Sequence, residues 1–256
     1  MGGHEVALEP RGVRLGMLTP SSNTRLEEAC FRMVDPLPDV SVHFSRFRVT
    51  EISLTDKGVG QFQDEVMLQA AELLADAHVD SIVWNGTSGA WMGFDADERL
   101  CAAITERTGV PATTSVLALN LALRRLGATR LGFVTPYTTD VQEKILAVYR
   151  AASWECTERH LGISVNDEFS RIPVDLIESM VRELALENPE AITTFCTNLR
   201  SAGSSAALEA QLGIPVLDST SLAVWAGLGL AGHPTSDVVG WGSLFELPYG
   251  EPAVAS

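Results

Sequence analysis

A chain of 256 residues, 46% of them apolar, carries enough material for a sizeable core, arranged as one large domain or two smaller ones. Its formal charge of −15 argues against nucleic acid as a partner, because the phosphates would be repelled. Four cysteines (Cys30, Cys101, Cys156 and Cys196) show no C-x-x-C spacing, and a chain this large needs no disulfide staples, so reduced thiols in a cytoplasmic compartment are expected.

The opening residues MGGHEVALEPRG lack the apolar centre of a signal peptide, and residues 1–12 read as a flexible lead. Val6 stands where a myristoylation signal needs Ser or Thr. Short apolar runs then alternate with longer helical patterns. Strands are expected at Val13–Leu18, Val40–Phe47, Ser81–Trp84, Arg130–Val134, Trp154–His160, Ala191–Phe195 and Pro215–Leu217. Helices are expected at Thr24–Met33, Gln61–Ala77, Ala96–Thr108, Ser115–Leu126, Asp140–Ala152, Pro173–Glu187, Ser204–Leu212 and Thr220–Ala231. Gln61–Ala77 shows the spacing well, with Phe62, Val66, Ala70, Leu73 and Leu74 on one face. The most apolar late segment, Leu222–Ala231, is far too short to cross a membrane, so no membrane partner is expected. Alternating strands and helices predict an α/β fold with parallel sheets covered on both faces.

The chain also repeats itself. RLGMLTPSSNT (Arg14–Thr24) aligns with RLGFVTPYTTD (Arg130–Asp140) at an offset of 116 residues. IVWNGTSGAW (Ile82–Trp91) aligns with the stretch TTFCTNLRSAG (Thr193–Gly203) so that Gly86 meets Cys196, at 110. GVPATTS (Gly109–Ser115) aligns with GIPVLDS (Gly213–Ser219) at 104. Three matches in one order predict two similar three-layer αβα lobes related by a pseudo-two-fold axis. The division falls near Ala112–Leu126: residues 13–117 with about 220–245 form the first lobe, and residues 118–219 form the second. The last helix crosses back to the first.

Ligands of open α/β sheets bind beyond the carboxyl ends of the strands. Thr19–Asn23, Gly86–Ser88, Thr135–Tyr137 and Cys196–Asn198 all fall at such ends, and facing lobes would gather them around one cleft. Cys196 precedes a helical run, where a thiolate gains from the dipole and free N–H groups. Ser21, Ser22 and Asn23 suit either a helix N-cap or a bound carboxylate. Thr87, Ser88 and Tyr137 offer hydroxyls; Asn166 either reaches the cleft or forms a turn. GLGLAG (Gly227–Gly232) lies late in a helix and is not a dinucleotide loop. The histidines are scattered, with no paired ligand spacing, so no metal and no organic cofactor are expected.

The ordered strings TPSSNT, NGTSG, TPY and FCTN, covering Arg11 to about Gly232, resemble the aspartate/glutamate racemase superfamily, in particular its arylmalonate decarboxylase and maleate isomerase branch. The resemblance implies a cofactor-independent enzyme acting on a small dicarboxylic acid. Racemases of the superfamily place one cysteine on each lobe; arylmalonate decarboxylases place glycine on the first and cysteine on the second, as Gly86 and Cys196 stand here. By position, Cys196 would be the proton donor, and Thr87, Ser88 and Tyr137 would match the family's oxyanion-binding groups. Asn23 and Asn166 match isomerase positions that hold a substrate carboxylate. The run Thr197, Asn198, Leu199 is also closer to the isomerases than to the decarboxylase, which has small glycines there.

These readings converge on a decarboxylation. One carboxylate rests on Thr19, Ser22, Asn23, Thr87, Ser88 and Tyr137, helped by Asn166, Thr197 and Asn198. Carbon dioxide leaves, and Cys196, with an ordinary thiol pKa of about 8.5, protonates the enediolate from one face. The opposite face, against Gly86, stands empty, so Gly86→Cys is expected to introduce racemisation. The alternatives are a maleate-type cis-trans isomerase or racemase, and a non-catalytic carboxylate-binding protein. Apolar helix faces such as Ser115–Leu126 permit a homo-oligomer without requiring one.

Overall fold

The computed structural model describes residues 11–55 and 64–250. Residues 1–10 of the flexible lead expected at 1–12, and the first residues of the helix expected from Gln61, lie outside the described residues.

Two four-stranded parallel sheets carry the molecule. The first contains β1 (Val13–Pro20), β2 (Val40–Phe47), β3 (Ser81–Trp84) and β4 (Ala112–Thr114), in the order β2-β1-β3-β4. The second contains β5 (Arg130–Thr135), β6 (Glu155–His160), β7 (Ala191–Thr194) and β8 (Val216–Asp218), in the order β6-β5-β7-β8. The order and the register repeat: Leu18 pairs with Trp84 in one sheet as Val134 pairs with Thr194 in the other. Central strands are covered on both faces, which is why they read as unbroken apolar runs; Leu15, Met17 and Leu18 of β1 are fully buried. The edge strand β2 alternates instead.

Ten α-helices flank the sheets among the described residues: α1 (Leu26–Val34), α2 (Asp64–Asp76), α3 (Gly89–Met92), α4 (Phe94–Thr108), α5 (Ser115–Leu126), α6 (Thr139–Ala151), α7 (Asn166–Phe169), α8 (Val174–Ala185), α9 (Ser205–Leu212) and α10 (Ser219–Leu230). The strand β4 was not expected from the sequence, nor were the single-turn helices α3 and α7. Helix α10 is apolar all round and buried, as Leu222, Ala223, Val224, Trp225 and Ala226 have no exposure. It lies against α1, α5, β1, β3 and β4. Gly227 permits the approach: a Cβ there would sit 3.3 Å from Val83, and Ser81 Oγ donates to the Gly227 carbonyl at 2.9 Å. An aromatic cluster joins the lobes on another side, with Phe94 of α4 5.0 Å from Tyr149 of α6 between ring centroids.

The ends of β4 and β8 are mirror positions with a buried acid at each, differently supplied. Thr114 ends β4; its hydroxyl accepts from Leu117 N at 3.0 Å, capping α5, and donates to the carboxylate of Asp97 from α4. Asp218 ends β8 and caps α10 directly, accepting from Thr220 N at 2.8 Å and Ser221 N at 3.1 Å. It also accepts from Thr194 Oγ1 at 3.1 Å and Ser201 Oγ at 2.6 Å. Burial raises both acids, against the lowering effect of these donors.

For Asp97 burial lifts the carboxyl from 3.8 to about 7. The folded state therefore keeps a proton that the unfolded state releases. This contribution to stability is complete below pH 3.8 and is lost as pH rises through about 7. Asp97→Asn should flatten that decline: its thermal midpoint, compared with the wild type, should gain more at pH 7.5 than at pH 4.5. Asp218→Ala removes a cap and leaves buried donors unpartnered, and should cost about 2–4 kcal/mol in chemical unfolding at pH 7.

Candidate functional site

All the loops that the repeat brings together leave the carboxyl ends of β1, β3, β5 and β7 and meet across the seam between the lobes. Hydrogen bonds close it there, among them Thr197 Oγ1 to the Asn85 carbonyl at 3.3 Å. Asn23 Nδ2 donates to Thr197 Oγ1 at 3.1 Å, and Thr24 N donates to Asn198 Oδ1 at 3.0 Å. Thr87 Oγ1 and Tyr137 Oη share a proton at 2.7 Å, and Asn166 Nδ2 donates to Ser22 Oγ at 2.7 Å. The segment after β2 adds backbone pairing, Ile52 N to Ser164 O at 3.0 Å.

A small cavity lies inside this seam. Its polar lining comes from Thr87, Ser88, Tyr137, Asn166, Cys196 and Thr197, with the backbone of Gly86. Pro20, Val49, Ile52, Trp84 and Trp91 form its apolar wall. Only about 20 Å³ is open to the centres of water molecules, room for one or two. A larger cavity of about 300 Å³ lies between α1 and Leu199–Ser204, beside Arg25, Arg32 and Trp241, and has no cysteine in its lining.

Cys196 is the cysteine that lines the small cavity; Cys30, Cys101 and Cys156 are buried elsewhere in packing. The turn after β7 is closed by Leu199 N–H on the Cys196 carbonyl at 3.2 Å, and the Asn198 and Leu199 backbone and the Tyr137 hydroxyl act on the thiol by hydrogen bonding. Each of these favours the thiolate. Burial outweighs them, with a further rise from the Asp218 carboxylate, and pushes the thiol up from 9.0 to about 12. This corrects the expectation of an ordinary thiol helped by a helix start. Residues 197–201 form a turn, and α9 begins only at Ser205 after a short 3₁₀ segment, so no helix N-terminus faces the sulfur.

Other expected residues are placed as follows. Thr87, Ser88, Tyr137, Asn166 and Thr197 border the cavity with Cys196, and Gly86 lies with them. Thr19 is fully buried, with its hydroxyl on the Met17 carbonyl at 3.4 Å, and it does not line the cavity. Asn23 Oδ1 accepts from Arg25 N at 2.9 Å and Leu26 N at 3.0 Å, the helix-capping arrangement, while its amide nitrogen crosses to Thr197. Ser22 bonds to the Val49 carbonyl and receives Asn166. Asn198 sits behind the cavity, its amide nitrogen on the Asn166 carbonyl at 2.6 Å. Asn23, Ser22 and Asn198 thus brace the residues that line the site.

Three features were not expected. Asp218 pins both ends of the Cys196 loop through Thr194 and Ser201; the alignment of GVPATTS with GIPVLDS, where Asp218 replaces Thr114, is the signal that marks it. The apolar wall from Val49 and Ile52 has no sequence signal. Most consequential, the face opposite Cys196 is not empty: the Trp84 ring lies over Gly86.

Comparison with known proteins agrees with this arrangement. The arylmalonate decarboxylase family model matches residues 37–245. Arylmalonate decarboxylase of Bordetella bronchiseptica is 31% identical over 199 residues, covering 76% of this chain and 82% of that protein. Maleate isomerase of Geobacillus stearothermophilus is 27% identical over 229 residues, covering 83% and 89%. Among solved structures, a cysteine-to-serine variant of the Nocardia farcinica maleate cis-trans isomerase, holding a covalently bound succinylcysteine intermediate, superposes with a TM-score of 0.83 at 25% identity, covering 91% of this chain and 98% of that one. With an ordered site on a duplicated α/β frame and a family match across most of its length, the chain belongs to the arylmalonate decarboxylase family.

Proposed function

We propose that this protein is a cofactor-independent decarboxylase of a substituted malonate, with Cys196 as the proton donor to an enediolate. The observation that carries this reading is a neutral, buried thiol set between hydrogen-bond donors on one side and an apolar wall on the other.

The retained carboxylate belongs with the donors. In the Thr87–Tyr137 pair one hydroxyl hydrogen makes the 2.7 Å bond, and the second can serve either the carboxylate or the Cys196 sulfur, not both at once. Ser88 Oγ accepts from Trp84 Nε1 at 3.2 Å, so its own hydrogen is free. The leaving carboxylate faces Pro20, Val49 and Ile52, which offer its charge no hydrogen bond. Breaking the bond from Cα to that carboxyl releases carbon dioxide, and the electron pair passes into the enediolate. Each well-aimed donor to the developing charge contributes about 10²–10³ in rate.

Cys196 then transfers its S–H proton to Cα, a step worth about 10²–10⁴ when the acid is positioned. A thiol near 12 is still much more acidic than the carbon acid being formed, and the thiolate left behind is received by Tyr137 Oη and the N–H groups of Asn198 and Leu199. Water returns the proton before the next turn.

A maleate-type isomerisation is the second reading, supported by the amide of Asn166 at the cavity and by the likeness to solved maleate isomerases. It would use Cys196 as a thiolate adding to a double bond, and the two chemistries make opposite demands on the sulfur. Assayed without cofactor, a panel of substituted malonates should release carbon dioxide, and Cys196→Ala should reduce this by about 10³-fold or more while keeping the fold. The rate should not rise with pH between 7 and 10, since the donor must hold its proton. Conversion of maleate to fumarate with a rate climbing tenfold per pH unit would replace decarboxylation by isomerisation.

A further inference from the structure

We propose that Trp84 is the residue that makes the site one-sided: its indole occupies the volume that any side chain at position 86 would need, and it backs the face of the reacting carbon that Cys196 does not serve. The inference rests on the proposed function for its catalytic part and on packing alone for the rest.

A Cβ built on Gly86 would lie 2.1 Å from Trp84 Cζ2, 2.4 Å from Cε2 and 2.6 Å from Cη2. Real atoms do not approach so closely, so the ring would have to move. It is held against moving. Trp84 is 1% exposed, its Nε1 donates to Ser88 Oγ at 3.2 Å, and its ring lies 5.0 Å from that of Phe47. Its backbone closes β3, paired with Leu18 on one side and Thr114 on the other. Gly86 is not among the positive-φ glycines, so space, not backbone conformation, is what requires glycine there.

The second lobe arranges the same two positions the other way. Thr194 ends β7 as Trp84 ends β3, and Cys196 follows it as Gly86 follows Trp84. Thr194 is small, and its hydroxyl is turned to Asp218 at 3.1 Å, which leaves the thiol its room. A bulky residue with glycine on one lobe thus faces a small residue with cysteine on the other. The pair, not the glycine alone, carries the difference. This corrects the sequence expectation that Gly86→Cys by itself would add a second acid, because the thiol would meet the indole.

A stability cycle tests the packing. Gly86→Ala should lower the thermal midpoint by about 5 °C. In a Trp84→Thr or Trp84→Leu background the same alanine should cost nothing further. A Gly86→Ala variant as stable as the wild type overturns the proposal whether or not the tryptophan variants fold, and an equal cost in both backgrounds overturns it where they do.

The catalytic part is read as hydrogen–deuterium exchange at Cα of a 2-substituted carboxylic acid in deuterated water. There, the thiolate introduced at position 86 removes the Cα proton, the C–H pair enters the enediolate, and Cys196 protonates the other face. Trp84→Thr with Gly86→Cys should exchange about 10²-fold faster than either single variant. If the wild type decarboxylates malonates through Cys196 but a folded double variant shows no such gain, the role given to Trp84 is wrong while the function stands. If the wild type shows no decarboxylation, the function falls and the stability cycle still decides the packing.

Discussion

Buried polar groups are costly to leave unpaired, and the cavity at the seam between the two lobes has room for only one or two water molecules. Loops at the carboxyl ends of parallel strands carry free backbone and side-chain polar atoms, and here two sets of such loops are pressed together. Each group must then find a partner, within its own lobe or across the seam, at a cost of about 1–3 kcal/mol for any that fails. The contacts of Asn23 with Thr197, Thr24 with Asn198, Thr87 with Tyr137 and Asn166 with Ser22 are that requirement met. Because every one crosses the seam, the cavity geometry is set by the relation of the lobes and not by either lobe alone.

A duplicated frame makes differences between the copies easy to interpret. The strand orders and registers agree, so a residue on one lobe has a defined counterpart on the other. At the ends of β4 and β8, Thr114 borrows a carboxylate from Asp97, whereas Asp218 supplies its own and uses it to hold the Cys196 loop. The acid therefore sits beneath the reactive sulfur on the second lobe and away from the cavity on the first. At the ends of β3 and β7, bulk and function change places. These exchanges make the two halves of a symmetric scaffold unlike, with Gly86 beside the Trp84 ring on one and Cys196 beyond the small Thr194 on the other.

Much of this was legible in the sequence because burial on both faces produces unbroken apolar strands and because the chain repeats. The central strands and the long helices were found within a residue or two at most ends. The strand β4 escaped because Ala112, Thr113 and Thr114 form no apolar run, although the alignment of GVPATTS with GIPVLDS placed it opposite a strand that had been read. The positions of Cys196, Thr87, Ser88 and Tyr137 at strand ends could be read; the direction in which Thr19 and Asn23 turn their polar atoms could not, since hydroxyls and amides bond equally well to backbone or ligand. Nor does any pattern of residues report that an indole folds back across a glycine two positions later. The ring is packed there against Phe47, from the strand on the far side of β1.

The acidity of the buried sulfur connects packing to chemistry. Hydrogen bonds from Asn198, Leu199 and Tyr137 favour a thiolate. Enclosure by the seam opposes them and prevails, because removing water costs the charged form more than these donors return. An enzyme that needs a nucleophile would have to admit water or a cation beside the sulfur. An enzyme that needs one proton delivered to a strongly basic carbon needs neither, and is served by a thiol that stays neutral until the carbanion forms. The donors then act late, on the thiolate made by the reaction, which lowers the barrier without ionising the resting enzyme. On the proposed reading, the closeness that seals the lobes suits a sulfur that delivers a proton.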